Sequence, residues 1–166
     1  LHRWLLAPIG TGFLHVRSER IAPTWPMQPA NASRRDNIRK FEEIGTHPAA
    51  NHNAIAEALV FHQGIGVERR YERMVYLRNR WVDQVKGHPR IRIHTSLRDG
   101  ESGAIGTVQI TGMKPGEVTS QLWEKWRIIA TPIGHAEYEG VRVTPNVYTT
   151  LQEVDTFANA MRTLAG

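Results

Sequence analysis

The chain has 166 residues, 40% hydrophobic and 22% charged, a composition that excludes intrinsic disorder and allows one ordinary domain or two small ones. Its net charge of +5 comes mostly from arginine, with lysine confined to Lys40, Lys86, Lys114 and Lys125, and the charges are mixed in sign and spread out, unlike a nucleic-acid footprint. Cysteine is absent, which excludes disulfides and thiolate sites; no apolar run is long enough to span a membrane, and no charged-then-apolar leader is visible.

Residues 2–17 read as two short strands joined at Gly10-Thr11-Gly12, where glycine permits a tight turn or close approach to a ligand. Pro23, Pro26 and Pro29 make residues 21–32 an extended connection. A short helix fits Arg34 to Ile44, before Gly45. Pro48 suits the first turn of the next helix, with Thr46 or His47 near its cap, and Ile55, Ala58, Leu59 and His62 recur on one face. The glycines at 64 and 66 interrupt the pattern. From Val67 a second helix runs through Tyr71, Met74, Leu77, Trp81 and Val85 to about Lys86, where Gly87 and Pro89 stop it.

The remainder alternates. Ile91 to Thr95 and Ala104 to Thr111 read as strands, Glu117 to Trp126 as a helix with Val118, Leu122 and Trp126 inward. Ile128 to Ala130 and Gly140 to Thr144 read as short strands. Thr150-Leu151-Gln152-Glu153 is a capping box, and Val154, Phe157, Ala158, Met161 and Leu164 line one face of a closing helix. The alternation predicts an α/β chain with a small sheet covered by helices on one side.

Taken singly, the polar residues have ordinary readings. A Gly-x-Gly hairpin is usually a turn, Thr46 caps its own helix, His2 bonds to backbone, and a lone Arg142 faces solvent from a strand. His47, His52 and His62 lie near one another, but no carboxylate or cysteine completes a metal-ligand spacing, so no metal site is expected.

Three segments in order change that weighting. Leu1-His2-Arg3-Trp4-Leu5, followed by Pro8-Ile9-Gly10-Thr11-Gly12, resembles the active-site segment of class V aminotransferase-like enzymes that use pyridoxal 5'-phosphate (PLP), in which His-Lys-Trp-Leu precedes a Pro-x-Gly-x-Gly turn. Glu43-Ile44-Gly45-Thr46 is similar to that family's Glu-x-Gly-Thr segment, which opens a long helix. Gly140-Val141-Arg142-Val143-Thr144-Pro145, with Tyr148-Thr149-Thr150 and Glu153-Val154-Asp155, resembles its Arg-x-Ser/Thr-Pro…Tyr-Asn-Thr…Glu-(Ile/Val)-Asp signature, Thr149 replacing the asparagine.

The resemblance implies roles. In the family the lysine at the position of Arg3 forms a Schiff base with PLP. A guanidinium stays protonated and delocalised, so Arg3 is not a competent nucleophile there. His2 falls where the family often has a phosphate-bonding histidine. Thr46 falls where a threonine reaches the cofactor phosphate of the neighbouring subunit, as an anion at a helix N-terminus would require. Arg142 falls on the arginine that grips the substrate's α-carboxylate, a task suited to a planar two-pronged donor.

By the same resemblance the fold is the end of a fold type I PLP large domain (residues 1–32), a long linking helical segment (33–87) and a small C-terminal α+β domain (88–166). The isopenicillin N epimerase-like branch fits best. Cysteine desulfurases carry a catalytic cysteine shortly before the substrate arginine, whereas residues 131–139 contain none. The expected protein is a homodimeric PLP enzyme of aminotransferase, epimerase or lyase type acting on a small-molecule amino-acid substrate; the alternative is a non-catalytic relative kept for binding or dimerisation. We read the chain as the C-terminal part of a longer protein and take the cytoplasm as the default compartment, any leader preceding residue 1.

Overall fold

Residues 1–166, all described by the computed structural model, divide into two units, Leu1–Gly64 and Ile65–Gly166. The first unit is built mostly from turns. Its helices are α1 (Ser18–Ile21) and α2 (Ala49–Ile65), with single 3-10 turns at Ala32–Arg34 and Ile38–Glu42. Each 3-10 turn starts where an asparagine carboxamide, Asn31 or Asn37, accepts an N–H two residues on, at 3.0 and 2.9 Å. Lys40 is buried, and its ammonium donates to the carbonyls of Ile21 and Arg35, the latter at 2.8 Å. The proline-rich connection is thereby tied to the second 3-10 turn by one side chain.

The two strands expected in residues 2–17 do not form. Leu6, in the left-handed region at φ 59°, donates its N–H to Arg3 at 3.3 Å, and Thr11 closes a second turn onto Pro8 at 3.3 Å. The Leu1 ammonium then donates to the Thr11 carbonyl at 2.8 Å. A lone two-stranded hairpin is marginal in water, and nothing in this unit supplies a third strand.

Gly66 takes φ 93° and ψ 145°, so the helical run breaks there and α3 begins at Val67 (Val67–Val85). The second unit continues with β1 (Ile91–Ile93), β2 (Gly106–Ile110), α4 (Pro115–Trp126), β3 (Thr131–Gly134), β4 (Glu139–Val143) and α5 (Leu151–Ala165). The strands form one antiparallel sheet in the order β1-β2-β4-β3. Thr107 on β2 and Thr131 on β3 flank Arg142 on β4 in register. The strand expected at Ile128–Ala130 lies three residues later. Arg127 caps α4 in a left-handed conformation, and Ile128 and Ala130 are spent packing against the core before pairing begins.

One face of the sheet is covered. Leu77, Trp81, Val82 and Val85 of α3, Val118 and Leu122 of α4, and Val154, Phe157, Ala158 and Met161 of α5 bury against Val108, Ile110 and Val141. Gly106 is required beneath this layer, since a Cβ there would sit 2.5 Å from Cζ2 of Trp81. The opposite face carries Arg92, Thr107, Gln109, Arg142 and Thr131 by strand alternation.

Thr149, Thr150, Glu153 and Asp155 of the closing signature each have a hydrogen-bond partner. Thr149 does the work of a turn residue, its hydroxyl accepting the Asn146 N–H at 3.0 Å. Thr150 and Glu153 form the capping box: the Glu153 N–H donates to the Thr150 hydroxyl at 3.2 Å, and the Thr150 N–H to the Glu153 carboxylate at 2.7 Å. Those bonds from Thr150 hold the Glu153 carboxyl below its ordinary range. Asp155 takes both prongs of Arg80 on α3 at 2.7 Å and the Gln84 amide at 2.8 Å, locking α5 to α3.

The Arg80 hydrogen bonds, then that of Gln84, lower the Asp155 carboxyl, and those of Asp155, then Tyr76, raise the Arg80 guanidinium. A carboxyl lowered in the folded state contributes stability that is full above its unfolded value and is lost as pH falls through the folded one. Asp155→Asn should therefore lower Tm at neutral pH and lose its deficit in acid, below the ordinary carboxylate range. Thermal melts of both proteins across that range check this; a deficit independent of pH would show that the charge of Asp155 contributes nothing.

Candidate active-site residues

The sequence-predicted site residues fall into both units. His2 and Arg3 sit on the first turn of the chain with exposed side chains and no hydrogen bond of their own. Arg3 enters the structure through its carbonyl, which accepts from Leu6. Thr46 is exposed just before α2. Its hydroxyl makes no bond within the chain, so the ordinary capping role is not performed. Gly45 before it takes φ 78°, a conformation that side-chain-bearing residues rarely adopt, which accounts for glycine at that place. Glu43 of the same motif is paired with Arg34, and Arg39 with Glu42 at 3.0 Å.

A cavity of about 660 Å³ lies beside this motif, lined among others by Gly12, Arg34, Arg39, Glu43, His47 and His52. His47 precedes α2 rather than lying in it. Its Nδ1 is 2.9 Å from the Gly45 carbonyl and its ring meets His52 edge to face at 4.7 Å. His62, expected to be an ordinary helix histidine, is 5% exposed with neither ring nitrogen hydrogen-bonded, edge to face with Phe61. Its position on the helix stripe was legible in the sequence, but the lack of a partner was not.

In the second unit, Arg142 lies on β4, an inner strand with a neighbour on each side. Val141 and Val143 face the helices, so Arg142 faces the uncovered side. Its one side-chain bond is from Nη2 to the Thr131 hydroxyl at 3.4 Å, and its Nε is buried without a partner. The guanidinium thus rests on a rigid backbone with most of its donors uncommitted. Sequence reasoning missed the rings that share this face. His94 follows β1, and Tyr138 and His135 stand on the β3–β4 turn, with ring centroids of Tyr138 5.4 Å from His94 and 5.2 Å from His135. The period of two through Ile91–His94 could have put His94 on the open face; its neighbours required the strand order.

The chemistry of these donors suits anions. Arg142 fits a carboxylate and Thr46 an anionic oxygen, while Arg3 does not fit the task of an amine nucleophile. All four lysine amines are engaged: Lys40 with backbone carbonyls, Lys86 with Asp83 at 2.7 Å, Lys114 with Glu139 at 3.6 Å and Lys125 with Gln121 at 2.8 Å. No helix is long and apolar enough to cross a membrane.

The chain is similar to two isopenicillin N epimerases. That of Streptomyces clavuligerus is 30% identical over 186 residues, covering 99% of this chain and 46% of the relative. That of Amycolatopsis lactamdurans is 28% identical over 180 residues, covering 99% and 45%. The chain therefore spans about half the length of the curated relatives it matches. Among solved structures, a cysteine desulfurase from Escherichia coli shares the fold with a TM-score of 0.76 and 19% identity, over 96% of this chain and 43% of that one. No protein-family model matches the chain. PLP is the cofactor of intact enzymes of this fold, one of which has been solved with glycine covalently linked to it. In sequence and in fold, the chain is similar to part of a class V, fold type I PLP-dependent enzyme.

Proposed function

We propose that the intact protein is a homodimeric PLP-dependent enzyme acting on an amino acid, of aminotransferase, epimerase or lyase type. In it, residues 1–32 end the large domain, 33–87 link, and 88–166 form the small domain. The observation that carries this reading is Arg142: a guanidinium held mid-sheet on an uncovered face, with a buried Nε and one long bond to Thr131. Its role is to bind and orient the substrate α-carboxylate with two parallel N–H bonds. Thr46, with a free hydroxyl at the approach to α2, would hold the cofactor phosphate of the neighbouring subunit, and His2 would hold it from its own. PLP, when bound, supplies the electron sink for charge developing at the α-carbon.

Arg3 favours a second reading, a non-catalytic relative that keeps the fold for binding or dimerisation. Lysine at position 3 is what the reaction needs, and arginine cannot replace its amine. The 166-residue chain should therefore form no covalent PLP adduct. Borohydride reduction after incubation with PLP, followed by mass analysis, checks this. A stoichiometric adduct at Lys40, Lys86, Lys114 or Lys125 would overturn it, and adduct formation gained by Arg3→Lys in a full-length form would favour the enzyme over the pseudoenzyme.

A further inference from the structure

The uncovered sheet face holds more than a carboxylate anchor. His94 extends the β1 ladder by one residue, its N–H donating to the Thr107 carbonyl at 2.9 Å. The register therefore aligns His94, Thr107, Arg142 and Thr131 in one row across the four strands. Tyr138 lies between His94 and His135, its ring tilted by 34° and 32° against theirs. Gly140, next to Arg142 on this face by strand alternation, puts no side chain between them. Glu139, on the other face, is turned to Lys114 at 3.6 Å.

The donors of this wall can be assigned. His94 Nε2 is taken by the Gln109 carboxamide oxygen at 2.9 Å. The Glu137 N–H donates to His135 Nδ1 at 3.3 Å, which places the His135 proton on Nε2. The His135 Nε2–H and the Tyr138 hydroxyl are then two donors on one exposed shelf, neither with a partner in the chain. Tyr138 and Arg142 are four residues apart along an extended chain, about 13 Å between backbones. With Gly140 between them bearing no side chain, that span leaves room on the face for a short aliphatic diacid.

We propose that His135 and Tyr138 form the specificity wall of the site, selecting amino acids whose side chain ends in a carboxylate. The inference rests on Arg142 being the α-carboxylate anchor. A charged acceptor strengthens bonds from neutral donors, so a distal carboxylate gains where an apolar side chain of the same length does not.

The test is an NMR titration of the 166-residue chain with L-glutamate and with L-norvaline, which has the same backbone length and no distal carboxylate. Wild type should bind glutamate about tenfold more tightly. The double variant His135→Ala, Tyr138→Phe removes both donors while keeping the ring at position 138 against His94, and should bind both ligands alike, with the norvaline affinity unchanged. Absence of saturable glutamate binding, or a glutamate preference that survives in the double variant, overturns the wall. Arg142→Ala separates the two readings: it should weaken both ligands by a similar factor, and a norvaline affinity unmoved by it overturns the anchor instead.

Discussion

Replacing Arg142 by alanine should abolish most of the discrimination between an amino acid and the matching amine that lacks the carboxylate. The measurement needs a form extended to the full length of the relatives, with lysine at position 3. Truncating one partner of a desolvated, hydrogen-bonded charge pair costs roughly 2–5 kcal/mol, about thirtyfold or more in affinity. Arg142→Lys keeps the charge but loses the two-pronged geometry, so it should also bind poorly. Folding should be nearly unaffected, because the guanidinium makes only one long bond, to Thr131, and packs away from the helix-covered core. If the discrimination survives in Arg142→Ala, a different residue holds the carboxylate.

Trp81→Ala should produce the largest loss of stability in the second unit. Trp81 is 1% exposed, meets Phe157 of α5 edge to face at 5.5 Å, and lies over Gly106 of β2. It joins α3 to α5 and to the sheet at once. Emptying such a site costs about 3–5 kcal/mol, since surrounding side chains relax only in part. For a domain of this size that lowers Tm by about 10 °C or more. The indole Nε1 is buried without a partner, so truncation removes packing and no hydrogen bond.

A double-mutant cycle sharpens the prediction. Gly106→Ala alone should destabilise, because its Cβ meets Trp81 at 2.5 Å, yet it should be tolerated once Trp81 is alanine. Additive losses would mean that the indole and Gly106 do not share the space the structure gives them.

Some of this architecture was legible before folding. The spacing of Leu77, Trp81 and Val85, and of Val154, Phe157, Ala158 and Met161, marks buried stripes of α3 and α5, since helix periodicity is a local property. The Thr150–Glu153 box was legible for the same reason: donor and acceptor lie three residues apart. Arg142 was singled out by its motif, and its place on a strand before Pro145 agrees with the structure. Glycine signals at 10 and 12 were read as a hairpin, but Leu6 and Thr11 close separate turns, because strands need partners that periodicity does not name.

What the sequence by itself determined was whatever depends on neighbours a few residues away: helix faces, caps, breaks at glycine, and the identity of the motif residues. What only the tertiary structure decided was which distant residues share a surface. Antiparallel pairing carries His94 beside Thr107 and Arg142, and the β3–β4 turn brings Tyr138 against His94, a separation of 44 positions in the chain. A strand's alternation says which residues share one of its faces. The order and register of the strands, set by how the helices bury the opposite face, decide what stands next to them.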